Sequence, residues 1–260
     1  MRKIVLFLVL CAVTLPVRAA DTVSPGAVPG GGNAPDARFL LDRVDDLFRG
    51  SSSHGLMTMK VTTVHWSREL RLEEWSQGKD KSLIRILAPK KEAGTTTLKS
   101  GGDIWNYLPK VKRVIKLPQS MMGDSWMGSH FTNDDLVRDS RMADDYSYST
   151  TFKGEKDGET VTEITCVPRP DAAVVWGKVV LEIRDHDTMP LRIEYYDEDV
   201  KPARIMTFSD FRTFGTRLLP ARCRIVPADR PREATEILYE SMEFDPSVPA
   251  NLFSLRSLQE

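Results

Sequence analysis

Only three cysteines and four histidines occur in the 260 residues. None of them has the spacing of a metal site: there is no His-Glu-x-x-His and no close cysteine pair. An excess of one charge sign is also missing, with 36 basic residues against 37 acidic ones. That balance speaks against a nucleic-acid partner, which would call for a strongly basic face. Beyond the first twenty residues no apolar run approaches the length of a membrane-spanning helix. Catalytic patterns are equally thin. Gly123-Asp124-Ser125-Trp126-Met127-Gly128 superficially resembles a serine nucleophile elbow, Gly-x-Ser-x-Gly. Its second glycine stands one residue late, and no strand-turn-helix context surrounds it. Asp134-Asp135 and Asp144-Asp145 are adjacent carboxylates, which point different ways in regular structure; they read as caps and solvated turns.

What is present begins with an address. Met1-Arg2-Lys3 precedes an apolar run from Ile4 to Leu15, Pro16 breaks it, and Val17-Arg18-Ala19 matches a small-x-small cleavage pattern. The sequence therefore predicts a secretory signal peptide over residues 1–19, cut after Ala19. Cys11 follows Leu10 rather than a small residue, which argues against lipidation there. Residues 20–35 are rich in Gly, Pro and Ala, lack any hydrophobic period, and read as a disordered tether. Residues 36–260 read as one domain. The two remaining cysteines, Cys166 and Cys223, sit in strand-like runs. In an oxidising compartment they are candidates for a disulfide or for two buried thiols.

Asp36 is placed to cap a helix running to about Phe48, with Phe39, Leu40, Leu41, Val44, Leu47 and Phe48 on one broad face. From Leu56 onward the period changes to two. Met57, Met59 and Val61 alternate with polar residues, as do Leu70 and Leu72. Similar short runs recur to Phe244 at close spacing, broken by turns such as Gly78-Lys79-Asp80 and Gly154 to Gly158. This train predicts an antiparallel sheet or barrel. Few helices are available to cover it. A curved, partly closed sheet resolves that shortage and encloses a concave space.

One stretch stands apart. Trp105-Asn106-Tyr107-Leu108-Pro109 and Val114-Ile115-Lys116-Leu117 flank a basic turn and read as a hairpin. Behind it, Met121, Met122, Trp126, Met127 and Phe131 lie among glycines where a soluble loop would be polar. Met suits surfaces that must fit several apolar partners. The segment reads either as a mobile apolar lid, with Gly123 and Gly128 as hinges, or as a loop folded onto the core. Lys110, Lys112, Arg113 and Lys116 form a basic hairpin tip, either solvated or in contact with anionic head groups.

The run Gly101 to Pro109, Arg113 after it, and the block Gly123-Asp124-Ser125-Trp126-Met127-Gly128-Ser129-His130-Phe131-Thr132-Asn133-Asp134-Asp135-Leu136 together resemble the outer-membrane lipoprotein-sorting protein family, the LolA-like proteins. Pro89 to Gly94 and Met189-Pro190-Leu191 extend the resemblance. It implies a mainly β fold, a half-open antiparallel β-barrel with a few helices covering its concave face. It implies a non-enzymatic periplasmic carrier for lipid or lipoprotein acyl chains, without metal or organic cofactor, touching membranes transiently and expected to be monomeric. On that reading Trp105, Tyr107, Met121, Met122, Trp126, Met127 and Phe131 line the cavity or its lid. An accessory domain that docks on an inner-membrane transporter without carrying cargo is the alternative.

Overall fold

The computed structural model describes residues 36–137, 141–172, 174–249 and 251–259. The predicted signal peptide and tether lie outside the described residues. The helix capped by Asp36 forms as α1, Ala37–Asp46, with the Asp36 carboxylate accepting from the Arg38 N–H at 3.4 Å. It buries Leu40 and Leu41. It stops short of Phe48, which turns away with Leu47 into the loop before the sheet.

Thirteen strands follow among the described residues: β1 Ser52–Thr62, β2 Ser67–Gln77, β3 Lys81–Ala88, β4 Thr96–Ser100, β5 Asp103–Leu108, β6 Arg113–Lys116, β7 Tyr146–Lys156, β8 Glu159–Pro168, β9 Lys178–Arg184, β10 Met189–Tyr196, β11 Pro202–Phe214, β12 Arg217–Pro227 and β13 Ala234–Phe244. They make one antiparallel sheet in the order β6-β5-β4-β3-β2-β1-β13-β12-β11-β10-β9-β8-β7. Consecutive strands pair with one another except β6 and β7, which stand at opposite edges, and the two runs are joined where β1 pairs with β13. Register shifts at Leu56/Met57, Arg71/Leu72, Thr150/Phe152 and Tyr195/Tyr196 bend the strands, as bulges do. The sheet curls but does not close, because β6 and β7 remain as edges. This is the half-open barrel that the period-two pattern and the resemblance predict.

Those two edge strands are consecutive in sequence, so residues 117–145 must cross from one edge to the other. The crossing segment carries two short 3₁₀ turns, Gln119–Met121 and Trp126–Gly128, then α2, Asn133–Val137, and α3, Met142–Asp145. Thr132 and Asp135 cap α2 reciprocally: the Thr132 N–H donates to the Asp135 carboxylate at 2.7 Å and the Asp135 N–H to the Thr132 hydroxyl at 3.2 Å, a capping box with an aspartate. Helix α3 is tied to α1 through Arg141, which donates to Asp46 at 2.9 Å, and through the Met142 N–H, which donates to Asp45 at 2.8 Å.

Alternation sorts the side chains onto two faces. The inner face collects Met57, Met59, Val61, Leu70, Leu72, Ile84 and Ile86 with Trp126 of the crossing segment. At the other end Leu40 and Leu41 of α1 pack with Met142, Tyr146, Ile164, Leu181 and Ile193. On the outer face Leu83 and Leu98 pack against Leu258 and Phe253 from the chain's last turn.

Candidate functional site

Between the inner face of the sheet and the elements that cover it lies a hollow of about 290 Å³. The sheet supplies Met57, Leu72, Ile84, Ile193, Met206 and Ile237 as its floor. Val44 of α1, Met142 of α3, and Trp126, Phe131 and Leu136 of the crossing segment form its roof. The lining is mainly apolar, and the volume falls just below the roughly 300–1,000 Å³ of small-molecule sites. A larger depression of about 550 Å³ lies at Arg43, Asp46, Asp187 and Arg217. Its charged wall is unsuited to hydrocarbon.

The roof is pinned at several points. The Trp126 indole N–H donates to the Thr97 hydroxyl at 3.2 Å, and the ring is 4 % exposed. Arg68 donates to the Met127 carbonyl. The His130 N–H donates to the Thr235 hydroxyl at 2.9 Å, and the ring nitrogens stand 2.8 Å from that hydroxyl and 3.4 Å from Glu233. Burial pushes the His130 pKa down against the opposing pull of Glu233. Arg204 of β11 donates twice to Asp135 of α2. The predicted glycine positions flank the Trp126 turn: Gly128 has φ +69° and Gly123 faces open space. The alternatives that the sequence left open, cover or core packing, meet here, because the same side chains roof the hollow and are buried in doing so.

The predicted site residues divide. Trp126 and Phe131 line the hollow. Met127 packs beside them, and Met122 is buried in the same segment, but neither reaches the hollow wall. Met121 is 40 % exposed. Trp105 and Tyr107 belong elsewhere: they pack with Leu83, Leu98, Phe253 and Leu258 on the outer face. The reason is register. Trp105 pairs with Leu98, which pairs with Leu83, whereas the hollow is lined by Ile84, one residue on and therefore opposite. The two cysteines are buried thiols and not a disulfide. They occupy β8 and β12, with β9, β10 and β11 between them in the sheet. Burial pushes the Cys223 thiol up to about 12.

Ser125 has no nucleophilic arrangement. Its hydroxyl donates to the Ser129 carbonyl at 2.6 Å, while His130 is engaged by Thr235 and Glu233. Among the described residues no three His, Cys, Asp or Glu side chains converge to hold a metal ion.

Polar groups in the hollow were missed by the sequence reading. Glu74 continues the inward series Leu70, Leu72 on β2, opposite Gly55 and Ile84. Its carboxyl forms no side-chain hydrogen bond or ion pair with the described residues, and burial raises its pKa to about 7. Tyr239, also on the wall, has its hydroxyl pushed well above the usual value by burial and then by Glu74. Beside the hollow rather than on its wall, Arg204 continues a second inward series with Met206, and the rings of Tyr195 and Trp176 lie 4.4 and 4.5 Å from its guanidinium carbon. The period-two count that exposed Leu70 and Leu72 would have found Glu74 if carried one step further.

No curated protein matches this chain. Among solved structures, it resembles a domain from Vibrio parahaemolyticus described as an outer membrane lipoprotein-sorting protein domain. The two are 21% identical, with 86% of this chain and 97% of that chain covered and a TM-score of 0.74. It also resembles a LolA superfamily protein from Nitrosomonas europaea, at 21% identity over 86% of this chain and 100% of that one, with a TM-score of 0.72. A family model described as an uncharacterized protein matches residues 78–260. The chain belongs to that family, and its fold is that of the LolA-like proteins.

Proposed function

We propose that this protein is an exported, periplasmic carrier that shelters the acyl chain of a lipid or lipoprotein from water. One observation carries the reading: an apolar hollow of about 290 Å³ lies under a segment that belongs to neither sheet nor main helix. Hydrocarbon needs a non-directional apolar lining and gains roughly 0.8 kcal/mol per buried methylene. The roof over it is attached by a handful of polar contacts, and Gly123 and Gly128 flank the Trp126 turn as hinges. Trp126 and Phe131 would touch cargo directly, with Met122 and Met127 moving with them. Two further features support the reading, the signal-peptide pattern at residues 1–19 and a fold shared with proteins described as lipoprotein-sorting. The work asked of the protein is binding and release.

The test is binding of a fluorescent fatty acyl probe to the parent and to Met206→Trp, which fills the hollow from its floor. The parent is expected to bind, and the variant to bind at least about tenfold more weakly, a difference of roughly 1.4 kcal/mol. Ile193→Phe provides a second filling in case the larger ring overpacks. Equal affinity in the parent and a folded filled variant would overturn the assignment. An accessory domain that docks on a transporter without cargo would bind no probe at all. Native mass spectrometry of protein taken from its own periplasm would then show the bound lipid directly.

A further inference from the structure

The apolar hollow adjoins a second one of about 270 Å³, and the two share Glu74, Asp135, Leu136 and Tyr239 as walls. The character changes across that seam. Beyond it lie Arg49, Lys79, Lys81 and Lys99 with Ser53, Ser76 and Ser82. The side chains of Arg49, Lys79 and Lys81 form no ion pair among the described residues, and Lys99, 4 % exposed, donates to the Lys79 carbonyl. On a chain with a net charge of −1, so local a basic cluster is not a reflection of overall charge. At the seam, the half-buried Glu74 and Tyr239 form no side-chain hydrogen bond among the described residues, so their carboxyl and hydroxyl are open to a polar group of a ligand.

We propose that the two hollows form one bipartite site for a single-chain lipid with an anionic head group. The hydrocarbon lies in the apolar hollow, the polar linkage hydrogen-bonds to Glu74 and Tyr239, and the head group is held by Arg49, Lys79 and Lys81. This rests on the carrier reading and sharpens it. The apolar volume, just below the usual range of ligand sites, suits one chain rather than several. Asp135 adds little repulsion, because Arg204 neutralises it. Glu74, held up to about 7 by burial, donates a hydrogen bond as an acid and carries no charge against the head group in mildly acidic solution.

The experiment compares palmitoyl lysophosphatidylglycerol with palmitoyl lysophosphatidylcholine, identical in chain, by calorimetry on the whole protein below micellar concentration. The anionic lipid is expected to bind about tenfold more tightly, a difference of about 1.4 kcal/mol. In the double variant Lys79→Gln, Lys81→Gln the preference should fall towards one, with thermal stability unchanged. Glycerol phosphate, the head group without the chain, should fail to compete. Equal binding of both lipids, or a preference that survives the double variant, overturns the head-group assignment and leaves the carrier reading standing. Competition by glycerol phosphate alone reduces the site to an anion site and overturns the bipartite form. Failure of both lipids to bind removes the carrier reading and this one together.

Discussion

Arg204 and Asp135 meet through two hydrogen bonds of 2.6 and 2.7 Å in the interior, joining β11 to α2. Arg204 is 5 % exposed, and Asp135 is the residue that caps its own helix. The pair therefore fastens the roof of the hollow to its floor at one point. A buried pair is not itself a large source of stability, but leaving one partner alone costs about 3–5 kcal/mol. Asp135→Asn keeps the shape and strands the guanidinium. It is expected to lower stability to urea by about 3 kcal/mol, within that range. Amide exchange in residues 121–137 should rise with it. The double variant Asp135→Leu, Arg204→Met should recover most of the loss, since neither charge then remains buried. A single variant as stable as the parent would show that the roof is held elsewhere.

Glu74 makes stability depend on pH. Its carboxyl titrates near 4.5 when exposed and about 7 in the fold, where burial penalises the charge. Between those values the folded chain holds a proton that the unfolded chain has lost. The contribution is thus complete below pH 4.5 and is lost as pH rises through about 7. Asp45 and Asp135 face the same hollow; Asp45 accepts from the Met142 N–H and Asp135 is paired with Arg204. Glu74→Gln should match the parent at pH 4.5 and exceed it at pH 8 by on the order of 1–2 kcal/mol, a discounted share of the shift. Thermal unfolding across that range measures it. Parallel pH profiles for the two proteins would place the carboxylate in contact with water.

Most of the sheet was legible because alternation is strong where one face is buried. Met57, Met59 and Val61 announce β1, and Leu70 and Leu72 announce β2, without any tertiary knowledge. The helix at Asp36 was legible from its cap and stripe. Which face of each strand meets the hollow was not legible, because outer-face cover is supplied by residues near the chain's end. Phe253 and Leu258 bury Trp105 and Tyr107 from the outside, so two aromatics that suit a lipid wall serve as packing instead. Glu74 and Arg204 were overlooked for a related reason: a charge at an inward position reads as solvated until the register is known. The cysteine pairing depended on spatial adjacency, which spacing in the chain does not encode.

The division between Trp126 and Trp105 gives the sharpest optical test of where cargo sits. Trp126 lines the hollow, 4 % exposed, whereas Trp105 lies across the sheet beside Leu98 and within 5.4 Å of the Lys116 ammonium. A fatty acid brominated along its chain quenches indole fluorescence only at close range. With the parent, added brominated lipid should quench part of the emission. In Trp126→Phe that quenching should fall clearly, because the closest indole is gone while most of the ring volume stays. In Trp105→Phe it should be unchanged, since the sheet separates that ring from the hollow. Both variants should remain folded, although the first gives up the hydrogen bond to Thr97, worth about 0.5–1.5 kcal/mol. Quenching that disappears with Trp105 and survives loss of Trp126 would move the lipid to the outer face and leave the inner hollow as unfilled packing.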